Sequence, residues 1–288
     1  MIRKAVYFLL CILLLLTILV GCAKSNNTPV SPTPTPFIGS ARVELGDITM
    51  YFVAQGEGKP LILLHGGGSC SDAWFNQVPV FMKQYYVITP DNRGQGRTTD
   101  SDAPLSYHLM AEDTIRLMDY LGIDSAYIVG WSDGGTIAID LTIHHPERVK
   151  TLVAYGAIIN PEGNQDSFIE WVRNVTVSEM IQTFGIQTFG SECSSLSPDP
   201  EHLPIIIEKI RAMWLTGSYT AEELASIKVP TLIIDGQTEE LVRTNHAQEI
   251  ADAIPHAELV ILPNVGHFAI FDKSEEWNNA VLDFLKDK

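Results

Sequence analysis

Short runs of continuous apolar residues recur along the chain, each separated from the next by an amphipathic stretch. Pro60–Leu64 reads PLILL, Tyr86–Thr89 reads YVIT and Ala126–Gly130 reads AYIVG. Val149–Tyr155, Val229–Asp235 and Glu258–Leu262 continue the series. A strand wetted on one side alternates polar and apolar residues, whereas one that is apolar throughout is covered on both faces. Between these runs, Trp74–Met82, Ser106–Leu121, Gly135–His145, Thr244–Ala253 and Ser274–Leu285 are helix candidates; in the second, Leu109, Ile115, Leu117, Met118 and Leu121 lie near helical spacing. The alternation predicts an α/β fold with a doubly wound, mostly parallel sheet. The segments ARVEL and ITMYFVAQ, joined at Gly46-Asp47, predict an antiparallel hairpin at its start.

Residues from about 157 to 228 break the rhythm. They hold helix-like stretches at Phe168–Val175 and Leu203–Leu215 and no clear buried strand. An insertion at the carboxyl edge of a sheet borders the ligand crevice, so this segment is expected to form a helical cap.

The N-terminal residues read as an address. Arg3 and Lys4 precede an apolar run from Ala5 to Val20, which is marginally short for a membrane span. The run ends in Leu19-Val20-Gly21-Cys22, which resembles the bacterial lipoprotein box. That resemblance implies a signal peptide over residues 1–21, cleavage before Cys22 and a lipid on its thiol. An uncleaved anchor is the alternative. Ser25–Pro36 (SNNTPVSPTPTP) has proline every second or third residue, which favours an extended, semi-rigid chain. The expected organisation is a tether over 22–37 and a folded domain with its inserted cap over 38–288, on the extracytoplasmic side of a bacterial membrane. Of the four cysteines only Cys70 and Cys193 lie in the folded part; they could pair there, although the geometric demands of a disulfide favour two free thiols.

Charge narrows the partners. The chain has 35 acidic residues against 19 Lys+Arg, a net charge of -16, so its average surface repels nucleic acid. It has no Cys-x-x-Cys and no His/Cys cluster with zinc-ligand spacing, and neither a metal nor an organic cofactor is implied.

Gly130-Trp131-Ser132-Asp133-Gly134-Gly135 follows one predicted strand and opens a predicted helix. Gly-x-Ser-x-Gly in that setting forms a tight elbow that lifts the serine hydroxyl above the sheet. A serine needs a base and an oriented partner to act as nucleophile. Of the eight histidines, only His267 sits on a loop at the carboxyl end of a late strand; His108, His144, His145, His202, His246 and His256 lie on helices or ordinary connections. The acid is expected after the strand that ends at Asp235. Glu239 is the first choice, with Glu240 and then Asp235 as rivals. His65-Gly66-Gly67-Gly68 follows the PLILL strand, and its backbone can approach a substrate closely. The amides of Gly67, or alternatively Gly68, and of Asp133 are the expected oxyanion donors.

The order Ser132, Glu239, His267, together with the His-Gly loop, resembles the α/β-hydrolases with an inserted cap, over about residues 43 to 286. Asp91-Asn92-Arg93-Gly94-Gln95-Gly96-Arg97-Thr98 is similar to a structural turn of that family, with Thr98 in place of the usual serine. The family usually has Asp where this chain has Glu239. The elbow is also similar to that of valacyclovir-hydrolase-like enzymes, in which the acidic residue at the position of Asp133 receives a substrate amino group. The resemblance implies a serine hydrolase acting on a small ester or lactone. Amino-acid esters or amides, carbon–carbon bond hydrolysis and perhydrolysis remain alternatives on the same triad. A non-catalytic ligand-binding lipoprotein and an envelope scaffold are the readings from other classes.

Overall fold

The computed structural model describes residues 36–185, 193–286 and 288. The predicted signal peptide, Cys22 and the tether up to residue 35 lie outside them. Eight strands form one sheet: β1 (Gly39–Leu45), β2 (Ile48–Gln55), β3 (Lys59–Leu64), β4 (Tyr85–Pro90), β5 (Ala126–Trp131), β6 (Val149–Tyr155), β7 (Thr231–Gly236) and β8 (Glu258–Leu262). Their spatial order is β1-β2-β4-β3-β5-β6-β7-β8. The hairpin β1–β2 and the pair β2–β4 are antiparallel, and every other neighbour is parallel. Burial follows the sequence pattern. β2 alternates buried and half-buried residues, while β4, β5 and β7 are buried at every position.

Helices cover both faces of the sheet. On one side, α1 (Tyr107–Leu121), α2 (Asp133–His144) and α7 (His246–Ala253) contribute Leu117, Ile137 and Ile250 to a continuous core. On the other, α8 (Ser274–Leu285) packs Trp277, Val281 and Phe284 against Trp74, Phe81 and Leu63. α1 is closed at both ends. Ser106 accepts the Leu109 amide at its start, and Gly122 turns left-handed at its end with φ 67°.

Two expectations need correction. Trp74–Met82 is not one helix but a 3-10 turn at Ser71–Trp74 and a single α turn at Val78–Phe81. Pro79, which has no amide proton to donate, is tolerated only in the first turn of a helix. α2 begins at Asp133 rather than Gly135, directly after Ser132.

Between β6 and β7 the described residues form α3 (Asp166–Asn174), α4 (Val177–Gly185), α5 (Leu203–Trp214) and α6 (Ala221–Ser226), with short 3-10 turns. Cys70 and Cys193 are joined by a disulfide across 123 residues of sequence, which settles the pairing in the direction the sequence disfavoured. Among the described residues no helix is long and apolar enough to cross a membrane.

Candidate active site

Four loops at the carboxyl ends of parallel strands meet at one place. β5 delivers Ser132, β7 delivers Glu239, β8 delivers His267 and β3 delivers Gly66 and Gly67. Ser132 has φ 57°, a left-handed conformation that a non-glycine residue adopts at a cost of about 1–3 kcal/mol. The surrounding glycines make that turn possible. A Cβ at Gly134 would overlap the Leu64 carbonyl, and one at Gly130 would overlap the Gly134 backbone. The elbow therefore presses directly on the end of β3.

Ser132 Oγ lies 2.8 Å from His267 Nε2, to which its hydroxyl donates. His267 Nδ1 lies 3.0 and 3.1 Å from the two carboxylate oxygens of Glu239. Glu239 is buried, and its Oε1 also accepts the amides of Leu241 and Val242. Burial alone would push its carboxyl up. The charge and hydrogen bond of His267, aided by a hydrogen bond from Asp235 and the Leu241 amide, outweigh burial and hold it well below the usual range. Asp235 moves the other way. Burial, then the charge of Glu239 and the hydrogen bond to it, push its carboxyl far above the ordinary value. Glu240 does something else, since its Oε2 accepts the backbone amide of His267 at 2.9 Å. The geometry thus gives the ring to Glu239, the backbone of the same histidine to Glu240, and the rear of the carboxylate to Asp235.

Two side chains that fix His267 carry no signal in the sequence. Trp131 Nε1 donates to its carbonyl at 2.9 Å, the Tyr155 ring stacks on it, and the Tyr155 hydroxyl donates to the Gly266 carbonyl and accepts the Ala269 amide. A Cβ at Gly156 would come within 2.9 Å of the imidazole Cε1. Trp131 and Tyr155 end strands β5 and β6, and their rings read in sequence as ordinary core.

The His65–Gly68 loop is equally tight. A Cβ at Gly66 would stand 3.1 Å from Ser132 Cβ, and one at Gly67 would overlap the Asp133 carboxylate. Gly68 donates its amide to Gln95 Oε1 at 2.7 Å, which leaves Gly67 as the better of the two expected donors. The side chain of Asp133 is engaged by the chain itself. It accepts Tyr107 Oη–H at 3.0 Å and Trp214 Nε1–H at 2.9 Å to each oxygen. Burial raises its carboxyl to about 6, against the opposing pull of those two donors. Tyr107 and Trp214 carry no motif, and only their positions in space reveal the contact. Asp133, Trp214, Phe168, Ile158, Asn164 and Leu241 join Ser132, His267, Gly66 and Gly67 around one cleft.

A family model described as alpha/beta hydrolase fold matches residues 59–196. The chain is 26% identical over 276 residues to a 2-hydroxy-6-oxo-6-phenylhexa-2,4-dienoate hydrolase of Burkholderia cepacia, covering 88% of this chain and 96% of that protein. It is 28% identical over 275 residues to a 2-hydroxymuconate semialdehyde hydrolase of Pseudomonas sp. strain CF600, covering 89% and 97%. The chain is an enzyme of the α/β-hydrolase fold. One solved hydrolase of this fold, Est816, described as an N-acyl homoserine lactone degrading enzyme, matches it at 25% identity with a TM-score of 0.69, covering 85% of this chain and 100% of that one. The fold class expected from the apolar runs is the observed one.

Proposed function

We propose that this hydrolase cleaves a small, neutral carboxylic ester or lactone through an acyl-enzyme, with Ser132, His267 and Glu239 as the catalytic triad. The observation that carries the reading is the unbroken chain from the Ser132 hydroxyl to His267 and on to Glu239, set on a left-handed elbow. Ser132 Oγ attacks the carbonyl carbon, and its proton passes to His267 Nε2. The Gly67 and Asp133 amides receive the negative oxygen. The carbonyl re-forms, and the departing alkoxide takes the proton from His267. Water then gives a proton to the same nitrogen and attacks the acyl group, and Ser132 leaves with that proton. Glu239 keeps the imidazole in the right tautomer throughout. The insertion between β6 and β7 serves as the cap, contributing Phe168 and Trp214 to the cleft.

Charge in the cleft supports a neutral substrate. The relatives' names include dienoates, which are anions. Among the described residues lining this cleft none is lysine or arginine, and Asp133 is acidic. The similarity to Est816 favours a lactone within this class. An amino-acid ester is the second reading, favoured by the buried Asp133 carboxylate and opposed by the two donors that already satisfy it.

The proposed setting is the outer side of a bacterial membrane, with residues 1–21 removed and a lipid on Cys22. The disulfide supports an oxidising compartment. Palmitate labelling of the cells, lost in Cys22→Ala, would support the anchor, and labelling that survives the substitution would refute it.

The catalytic reading is tested with a fluorophosphonate probe on the full chain, beside Ser132→Ala and His267→Ala. Labelling lost in both variants is the expected result. A folded parent that stays unlabelled would overturn the reading. A panel of esters and lactones run against a 2-hydroxy-6-oxodienoate then ranks the substrates, and faster turnover of the dienoate would displace the ester reading.

A further inference from the structure

Away from the cleft, one group of side chains has no part in the chemistry above. His108 projects from α1, and Asp140 and His144 lie four residues apart on α2, so they share a face of that helix. Asp140 Oδ1 is 3.0 Å from His108 Nδ1 and 3.1 Å from His144 Nδ1. The three atoms all lie within 4.8 Å of one another. Seven residues separate Asp140 from Asp133, so the group sits about 10 Å down α2 from the elbow.

We infer that His108, Asp140 and His144 bind a divalent transition cation of the zinc class, through the two Nδ1 atoms and one carboxylate oxygen. Among the described residues this is the one group of three or more such side chains with the spacing a metal needs. Zinc bonds to imidazole nitrogen and carboxylate oxygen are about 2.0–2.2 Å long, so tetrahedral neighbours stand about 3.3 Å apart. The two observed separations are close to that value. Imidazole ligands select zinc, copper or nickel over calcium and magnesium, which prefer all-oxygen shells.

The site is also built from behind. The Asp140 side chain is only 4% exposed, and its second oxygen accepts the Tyr219 hydroxyl at 2.9 Å. That bond turns Oδ1 towards the histidines, as an outer-shell partner does for a ligating carboxylate. Tyr219 comes from the connection between α5 and α6, so a third segment of chain holds the donor set. The imidazoles are 52% and 40% exposed, which gives an ion an entry path and leaves room for water on its open positions. Glu112 pairs with His145 beside the group, and Glu223 is close enough to His144 to feel its charge, so the surroundings attract a cation.

Without a metal, hydrogen bonds alone would hold these residues. His144 Nδ1 also lies 3.0 Å from the Asp140 carbonyl, to which its proton would be donated. Metal binding requires both Nδ1 atoms to be bare, with the ring protons carried on Nε2. The two states are therefore chemically distinct, and titration with zinc separates them.

The experiment uses the full chain in mild detergent, purified without a polyhistidine tag and stripped by a chelator. Calorimetric titration with zinc chloride is run on the parent and on His108→Ala, His144→Ala, Tyr219→Phe and His267→Ala. The expected result is one saturable zinc per chain, weakened at least about 100-fold in each of the first two variants. Tyr219→Phe should weaken it about 10-fold, and His267→Ala should leave it unchanged. Zinc should raise the melting temperature of the parent but not of His108→Ala, whose circular dichroism is checked for folding. Absence of saturable uptake in the parent would overturn the assignment. So would equal affinity in the parent, His108→Ala and His144→Ala, or a site lost only in His267→Ala. Full competition by calcium would also overturn it.

Discussion

In the sheet, β4, β5 and β7 are buried at every residue, and the loops that leave β5, β8 and β7 join Ser132, His267 and Glu239 in a relay with no link longer than 3.1 Å. The insertion is put together otherwise. Among the described residues its own apolar cluster has three buried members, Val175, Met180 and Ile207. Ile206, Ile210 and Met213 of α5 reach instead into the main core. Separate ties add to this, among them the Cys70–Cys193 disulfide, Asp100 facing both Lys209 and His202, Asp133 facing Trp214, Asp140 facing Tyr219, and Gln165 bonded to the Leu241 and Val242 carbonyls. One region is rigid because repeated burial leaves it no alternative. The other depends on a few pairwise bonds, each of which can be cut singly.

The largest predicted effect tests the rigid side. Glu239→Gln and Glu240→Gln change neighbouring carboxylates with different duties. Glu239→Gln presents the imidazole with an amide that can stabilise the wrong tautomer, and kcat should fall about 10⁴-fold. Glu240→Gln keeps an oxygen that accepts the His267 amide, so its loss should be about tenfold or less. Steady-state kinetics on the best ester measures both. Equal losses would mean that the sheet edge positions His267 through both carboxylates together.

Cutting the disulfide tests the tied region and should have the next largest effect. Cys70→Ser or Cys193→Ser should lower stability by roughly 2–5 kcal/mol, since the bridge closes a long loop in the unfolded chain. Proteolysis should then begin within the insertion while the sheet still protects its own peptides. Denaturant unfolding and mass spectrometry of the fragments read both. Cleavage that starts in the sheet would show that the two regions unfold as one.

The same contrast explains what was legible in the sequence. Continuous apolar runs specify strands covered on both faces, so the sheet and its flanking helices follow from local pattern. Ser132 and His267 follow from the loops those strands project. The choice among Glu239, Glu240 and Asp235 rests on geometry, because Asp235 ends β7, the other two follow in the next loop, and the three differ in what each carboxylate faces. Cys70–Cys193, Asp133–Trp214 and the approach of His108 to the Asp140–His144 pair join residues far apart in the chain, and no local period encodes them. Trp74–Met82 went wrong for the opposite reason: its apolar spacing is helical, yet Pro79 restricts where a helix can begin.

The smallest predicted effect lies where the two regions touch. Asp133 starts α2 on the sheet side, and its carboxylate accepts Trp214 from the insertion and Tyr107 from α1. Burial holds its carboxyl at about 6 in the folded protein, above the ordinary value of 3.8. A raised acid binds its proton more tightly when folded, so its contribution to stability is fully present below about pH 4 and is lost as the pH rises through 6. The full swing is about 2–3 kcal/mol, because each pH unit between the folded and unfolded values contributes roughly 1.4 kcal/mol. Asp133→Asn carries no titrating group, and all other ionisations are common to both proteins. The stability difference, parent minus variant, should therefore increase by about that amount between pH 7 and pH 4. Urea unfolding at several pH values measures it. A difference that stays flat across this window would mean that Asp133 keeps its charge in the grip of Trp214 and Tyr107. The contact between the sheet and the insertion would then be an ionic clamp rather than a buried acid under strain.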